Sequence, residues 1–224
     1  MQGKLIVFEG IEGCGKSTQL QQLDLWLKGY APFQALQARG LVGQVGLTRE
    51  PGGTPLGASL RQILLGLDPA LAIADRAELL MYAADRAQHV ETLIRPALAR
   101  GDWVLCDRFI DSTLAYQGYG RGLDLETIAQ LNQIATGGLV PDLTLWLKLP
   151  AEAGLARTRQ RGMVDRLEQA GLAFHQRVQE GFEQLALAHP ERITAVDAQP
   201  EPTAVSQAIQ QVVGQYIAQW YGDI

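Results

Sequence analysis

The sequence predicts an α/β fold, a five-stranded parallel sheet covered by helices on both faces. Three observations carry this expectation. Short apolar runs alternate with segments of helical periodicity along the chain, the pattern of βαβ units. The runs are nearly continuous rather than alternating, as strands buried on both faces require. The first run leads through a glycine-rich turn into a helix, the arrangement of a phosphate-holding loop. With 224 residues, 47% hydrophobic and 19% charged, the chain suits one three-layer domain over 1–224 with a substantial core.

In chain order, "KLIVFEG" (4–10) reads as the first strand, and a helix runs from Lys16 to about Leu27. The stretch 29–44 is the least periodic and is expected to be an extended connection. "VGLTRE" (45–50) is the second strand and ends in the turn-rich "PGGTP". Residues 56–66 and 73–101 then read as helices, the second closed by Gly101. "WVLCDRF" (103–109) and "LTLWLKL" (143–149) are further buried strands, with the helix "LETIAQLNQIATGG" (125–138) between them. An arginine-rich helix pair (151–189), a fifth strand "RITAVDA" (192–198) and a final helix complete the chain. In the final helix Val205, Ile209, Val212, Tyr216 and Ile217 form a core-facing stripe.

The composition excludes several functions. A net charge of −5 argues against tracking nucleic acid or anionic membranes, which needs a basic face. No apolar run reaches the roughly 18 residues of a membrane span, and the start lacks the cleavage region of a signal peptide. A cytoplasmic location, with Cys14 and Cys106 as reduced thiols, is therefore expected. The three histidines, His89, His175 and His189, have no metal-ligand spacing and read as structural. Four of the 19 basic residues are Lys, leaving 15 Arg, a bias that permits bidentate phosphate recognition.

The first chemical motif is "GIEGCGKS", in which Gly10, four residues, then Gly15, Lys16 and Ser17 match G-x-x-x-x-G-K-[ST]. Backbone N–H groups of Gly10, Ile11, Glu12, Gly13, Cys14 and Gly15, with Thr18 beyond them, would cradle phosphates at a helix N-terminus. Lys16 would reach the β- and γ-phosphates, and the Ser17 hydroxyl would bind Mg2+. Asp107, at the end of a predicted strand, is the second expected ligand of that metal. One residue is out of place: Glu12 puts a carboxylate in the middle of the loop.

Further clusters place arginines at element ends. Arg49 tips the second strand, and Arg108 follows the metal acid. Tyr82 and Arg86 stand four apart on one helix face, which suits stacking on a flat base while the guanidinium reads its edge. By spacing alone, a core tyrosine beside a surface arginine is the favoured reading.

These stretches resemble the thymidylate kinases, enzymes that pass a phosphate from ATP to dTMP. "FEGIEGCGKST", "TREPGGTPLG", "MYAADRAQH" and "LCDRFIDSTLAYQGYGRGL" occur in the family's order, and the likeness extends through "RQRGMVDRLEQ" and "FHQRVQEGFEQLA" to "VDAQP". The resemblance implies the P-loop nucleoside monophosphate kinase fold with a short lid at about 151–170. It implies Mg2+ and ATP, dTMP as acceptor, and a homodimer formed on the helix 73–100. Arg49 and Arg108 would clamp the dTMP phosphate, Tyr82 would stack on thymine, and Arg86, Thr113 and Gln117 would recognise it. Tyr116 would wall the deoxyribose, and Glu12 would reach the sugar 3′-hydroxyl rather than ATP.

Phosphoryl transfer also needs positive charge around the moving group. One branch of the family carries an Arg directly after the loop acid, where this chain has Gly13. The other branch carries it on the lid. "ARTRQRGMVDRLEQ" (156–169) fits the second branch, with Arg161 beside Gly162 as the expected arginine finger and Arg157 and Arg166 as ATP or lid contacts. Two other readings stay open: a kinase for another monophosphate, dUMP foremost, and a nucleotide-driven switch with no acceptor.

Overall fold

Parallel pairing of all five strands follows from the helical crossover that separates each strand from the next. The computed structural model describes residues 3–66, 72–162, 166–167 and 169–222, apart from the side chain of Arg161. The strands are β1 (Leu5–Glu9), β2 (Val45–Arg49), β3 (Trp103–Asp107), β4 (Leu143–Lys148) and β5 (Ile193–Asp197), in the order β2-β3-β1-β4-β5. The expected five-stranded parallel sheet is therefore present.

Strand alternation divides the core between the two faces. Ile6, Phe8, Trp103 and Leu105 pack with α1 (Lys16–Gly29), α2 (Ala31–Ala38) and α10 (Pro202–Tyr221). Leu5, Val7, Val104 and Cys106 face α5 (Arg95–Ala99) and the turn before it. Register then fixes the functional edge. Phe8 and Arg49 both lie opposite Asp107, so β1, β2 and β3 end together at their carboxyl ends.

The stretch 29–44 is not an extended connection, because it contains α2. Pro32 sits in the first turn of this helix, where a missing N–H costs nothing. Phe33 and Leu36, three apart, are both fully buried. The Phe33 ring meets Trp103 edge-on at 5.0 Å between centroids. The helix is held by docking onto a β3 tryptophan, a contact that local periodicity does not reveal.

The expected helix 73–101 begins as α4 (Asp75–His89), and is widened over Val90–Ile94 into a π-helical turn before α5. Pro96 explains the widening, since it lacks the N–H that would bond Thr92. The Arg95 N–H turns instead to Val90 O, five residues back. A second helical segment was not expected at all: α6 (Ile110–Thr113) runs into a π-helical turn, Leu114–Gly120. It lies close against α9 (Leu172–Ala188). A Cβ at Gly120 would come within 2.7 Å of the Phe174 ring. The remaining helices, α3 (Pro55–Leu65), α7 (Leu125–Thr136) and α8 (Ala151–Arg161), follow the sequence expectation closely.

Candidate active site

The glycine-rich turn has the backbone its glycines allow. Gly10, Gly13 and Gly15 have φ of 138°, 74° and 94°. At Gly13 a side chain is excluded twice over: φ is left-handed, and a Cβ would lie 2.3 Å from Gly154 O in α8. This is the position where a loop arginine would have to stand. Lys16 folds its ammonium back along the loop, donating to Gly10 O and Ile11 O at 2.9 Å each. The Ser17 hydroxyl donates to Asp107 Oδ2 at 2.8 Å, so the two expected metal ligands, ninety residues apart, converge.

Beside the loop, Glu12 and Arg108 form the electrostatic centre. Arg108 has φ of 73°, a strained conformation for a residue with a Cβ. That backbone turns its guanidinium back toward the loop. Nη2 donates to Glu12 Oε1 at 2.9 Å and to the Tyr116 hydroxyl at 3.0 Å, and Nη1 donates to Ser112 Oγ at 3.0 Å. The Tyr116 hydroxyl in turn donates to Glu12 Oε1 at 2.6 Å. Burial by itself would push the Glu12 carboxyl up. Arg108, His175, Lys16 and Tyr116 outweigh it and hold the group far below the usual carboxylate range. Glu12 is thus a fixed anion, kept charged by its neighbours.

Glu9, the last residue of β1, supports this arrangement from beneath. Its buried carboxylate accepts from Phe109 N at 2.8 Å, Ser112 N at 3.1 Å and Ser112 Oγ at 2.5 Å. Those bonds fix the start of α6, and Ser112 in turn holds Arg108. Burial, then the nearby Asp111, raise the Glu9 pKa to about 7. Folding therefore retains a proton on Glu9 that the unfolded chain releases above about 4.5. Stability should fall as pH rises between those two values, and level off above the upper one. Glu9→Gln keeps the acceptor and removes the titration. Thermal melts of the variant should vary less than those of the parent across pH 5–8, and parallel profiles would contradict this.

The expected base-reading residues lie along one face of α4. Tyr82 is half-buried, and Arg86 is 2% exposed. Arg86 is neither at the surface nor free of protein partners. Its Nε donates to Glu50 Oε2 at 2.9 Å, Nη1 to Asn132 Oδ1 at 2.7 Å and Nη2 to Phe109 O at 3.0 Å. Glu50 also contacts His89, whose other ring nitrogen pairs with Thr48 Oγ1 at 2.6 Å. This buried network fixes Arg86 and the end of β2, from which Arg49 projects, exposed. Thr113 and Gln117 are buried on the α6 segment, 2% exposed each.

The lid arginines separate. Arg157 of α8 donates to Ala198 O and Gln199 O, beside the loop after β5, at 3.1 and 3.2 Å. Arg166 turns the other way. Its Nε donates to Leu64 O at 2.8 Å and its Nη2 meets Glu78, which puts it against α3 and α4. Arg161 is the last residue of α8, and its side chain lies outside the described residues.

Sequence reasoning passed over Glu9, Glu78 and His175. Glu9 carried a signal, as an acid closing an otherwise apolar strand. Glu78 carried one too, one helical turn before Tyr82. His175 Nδ1, 3.5 Å from Glu12 Oε2, had none, because only the packing of α9 brings it there. Its reading as a purely structural residue misses this contact. Cys14 and Cys106 are both buried and unpaired, as expected.

Comparison with known proteins gives one consistent result. The family model "Thymidylate kinase" matches residues 8–209. The thymidylate kinase of Cyanothece sp. is 54% identical over 231 residues, covering 100% of this chain and 99% of its relative. That of Trichodesmium erythraeum is 53% identical, with 98% and 99% covered. A crystal structure of thymidylate kinase from Ehrlichia chaffeensis superposes with a TM-score of 0.72 at 32% identity, covering 95% of this chain and 99% of that one.

Proposed function

The chain belongs to the thymidylate kinase family, whose reaction is the phosphorylation of dTMP to dTDP, and we propose that it does this with Mg·ATP through the residues gathered at the sheet's carboxyl edge. The observation that carries the assignment of roles is the buried Glu12–Arg108–Tyr116 cluster directly beside the glycine-rich loop. A carboxylate held ionised there would repel a triphosphate. It suits a neutral hydrogen-bond donor, such as a sugar hydroxyl of the second substrate.

The roles divide along the edge. Backbone N–H groups from Gly10 to Gly15, with Lys16, Ser17 and Thr18, hold the ATP phosphates, and Arg157 borders the donor from α8. Ser17 and Asp107 offer two converging oxygens at the loop mouth. This donor set suits a hard cation that keeps water and phosphate oxygens as its other ligands. Mg2+ held there would offset negative charge on the phosphates. Arg49 and Arg108 receive the dTMP phosphate, Tyr82 stacks on the base, and Arg86, Thr113 and Gln117 read it. Tyr116 stands against the deoxyribose. Arg161 supplies the charge that Gly13 has no space to supply. Transfer is in line, and positioning with electrostatics provides most of the acceleration.

Among the described residues no helix is long and apolar enough to cross a membrane. A homodimer formed on the α4 face completes the reading, and the exposure of Leu80 on that helix supports it. The deciding experiment is a coupled assay of Mg·ATP with dTMP, dUMP, dCMP and dGMP in turn. Turnover should be fastest with dTMP. ATP hydrolysis that no monophosphate increases would favour the switch reading and sink this one.

A further inference from the structure

Glu78 is fully buried at the point where three elements meet, and each described side chain bonded to it donates. Gln117 Nε2 reaches Oε1 at 2.8 Å. Arg121 reaches the two oxygens at 3.5 and 3.3 Å, and Arg166 comes in from the lid side to Oε2. Burial would push the Glu78 carboxyl up, but these donors more than offset it and hold the group below its ordinary value.

An ionised carboxylate accepts hydrogen bonds and cannot donate them. The end of the Gln117 amide that faces Glu78 must therefore be the nitrogen. Its carbonyl oxygen is then turned away from Glu78. Gln117 lies one turn beyond Thr113, beside Tyr116, and Glu78 lies one turn before Tyr82 on α4. The contact thus joins the two segments that carry the base-reading residues.

We propose that Glu78 is a positioning residue for acceptor specificity: by holding the Gln117 amide in one orientation, it presents a carbonyl acceptor to the base. That acceptor matches a pyrimidine with a protonated N3, as in thymine or uracil. A cytosine in the same pose would place an N3 lone pair against the Gln117 oxygen, and the contact would be repulsive. Selection against the wrong base is stronger when a buried polar group is left facing a like partner than when apolar contacts are merely lost.

The inference rests on the assignment of Gln117 to the acceptor base, and the experiment separates the two. The full-length chain is assayed for kcat and KM with dTMP and dCMP, in parallel with thermal unfolding. If the parent used dCMP as well as dTMP, the acceptor reading itself would fail. Given a parent that discriminates, Glu78→Gln offers the amide either a donor or an acceptor and frees its orientation. The dTMP-over-dCMP ratio of kcat/KM should then fall by about tenfold or more, chiefly through KM for dTMP.

The double variant Glu78→Gln with Gln117→Glu restores a fixed acceptor toward the base, and should regain most of the ratio. Arg121→Met removes a cation from Glu78 but leaves the carboxylate, and should keep the ratio. Retention of the full ratio by a folded Glu78→Gln overturns the proposal. Where that variant does not fold, failure of the double variant to regain the ratio overturns it instead.

Discussion

Arg108→Met is expected to lower kcat/KM for dTMP by about three orders of magnitude and to destabilise the protein as well. The catalytic loss comes from removing a preorganised cation at the acceptor phosphate, a change in the range seen when a single charge-stabilising donor is deleted. The loss of stability has a different origin. Glu12 is 9% exposed, and Arg108 provides its closest counter-charge. Breaking such a pair on one side leaves a buried carboxylate with too few partners, at a cost of about 3 kcal/mol. Steady-state kinetics and thermal unfolding read the two effects separately. Arg108→Lys should recover part of the stability but little of the rate, because an ammonium cannot span Ser112, Glu12 and Tyr116 together. Full activity in Arg108→Met would remove this residue from the site.

Arg161→Ala is expected to act on rate alone, lowering turnover by about three to five orders of magnitude while dTMP affinity stays near that of the parent. The reasoning starts at Gly13, where backbone conformation and the closeness of Gly154 O leave no space for a side chain. α8 therefore lies directly against the loop, and Arg161 closes the same helix just before Gly162, whose φ of 75° ends it. A lid arginine at that place would supply charge to the moving phosphoryl group without touching the acceptor base. Pre-steady-state turnover, with dTMP binding measured independently by calorimetry, tests both halves. A variant with the parent's rate would place the finger elsewhere among the lid arginines. A large loss of dTMP affinity would make Arg161 an acceptor ligand instead.

Several features were legible because they are local. The strands and their parallel arrangement follow from apolar runs alternating with helices, and the motif around Lys16 carries its own geometry in its glycines. Ser17 and Asp107 were paired in advance because a loop hydroxyl and a strand-end acid are both needed for one cation. The fold brings the two within a hydrogen bond of each other. α2 was missed because it is short and carries just two large apolar residues, Phe33 and Leu36, and Phe33 packs on Trp103, seventy positions away. The π-helical turn at 114–120 was missed for a similar reason, since its packing against α9 is a long-range contact. Arg166, read with Arg157 as an ATP or lid contact, is bonded to Glu78 and Leu64 O. Four arginines in a short run look alike in sequence, and only the path of the chain distinguishes them.

By itself, then, the sequence determined the layers and the glycine-rich turn between β1 and α1, because each is written in residue type and short spacing. Tertiary structure alone decided the charge states and orientations: Glu12 ionised between Arg108 and Tyr116, Glu9 protonated up to about pH 7, and Gln117 turned by Glu78. The physical reason is that burial and Coulomb energy depend on distances between groups far apart in the chain, and the fold sets those distances.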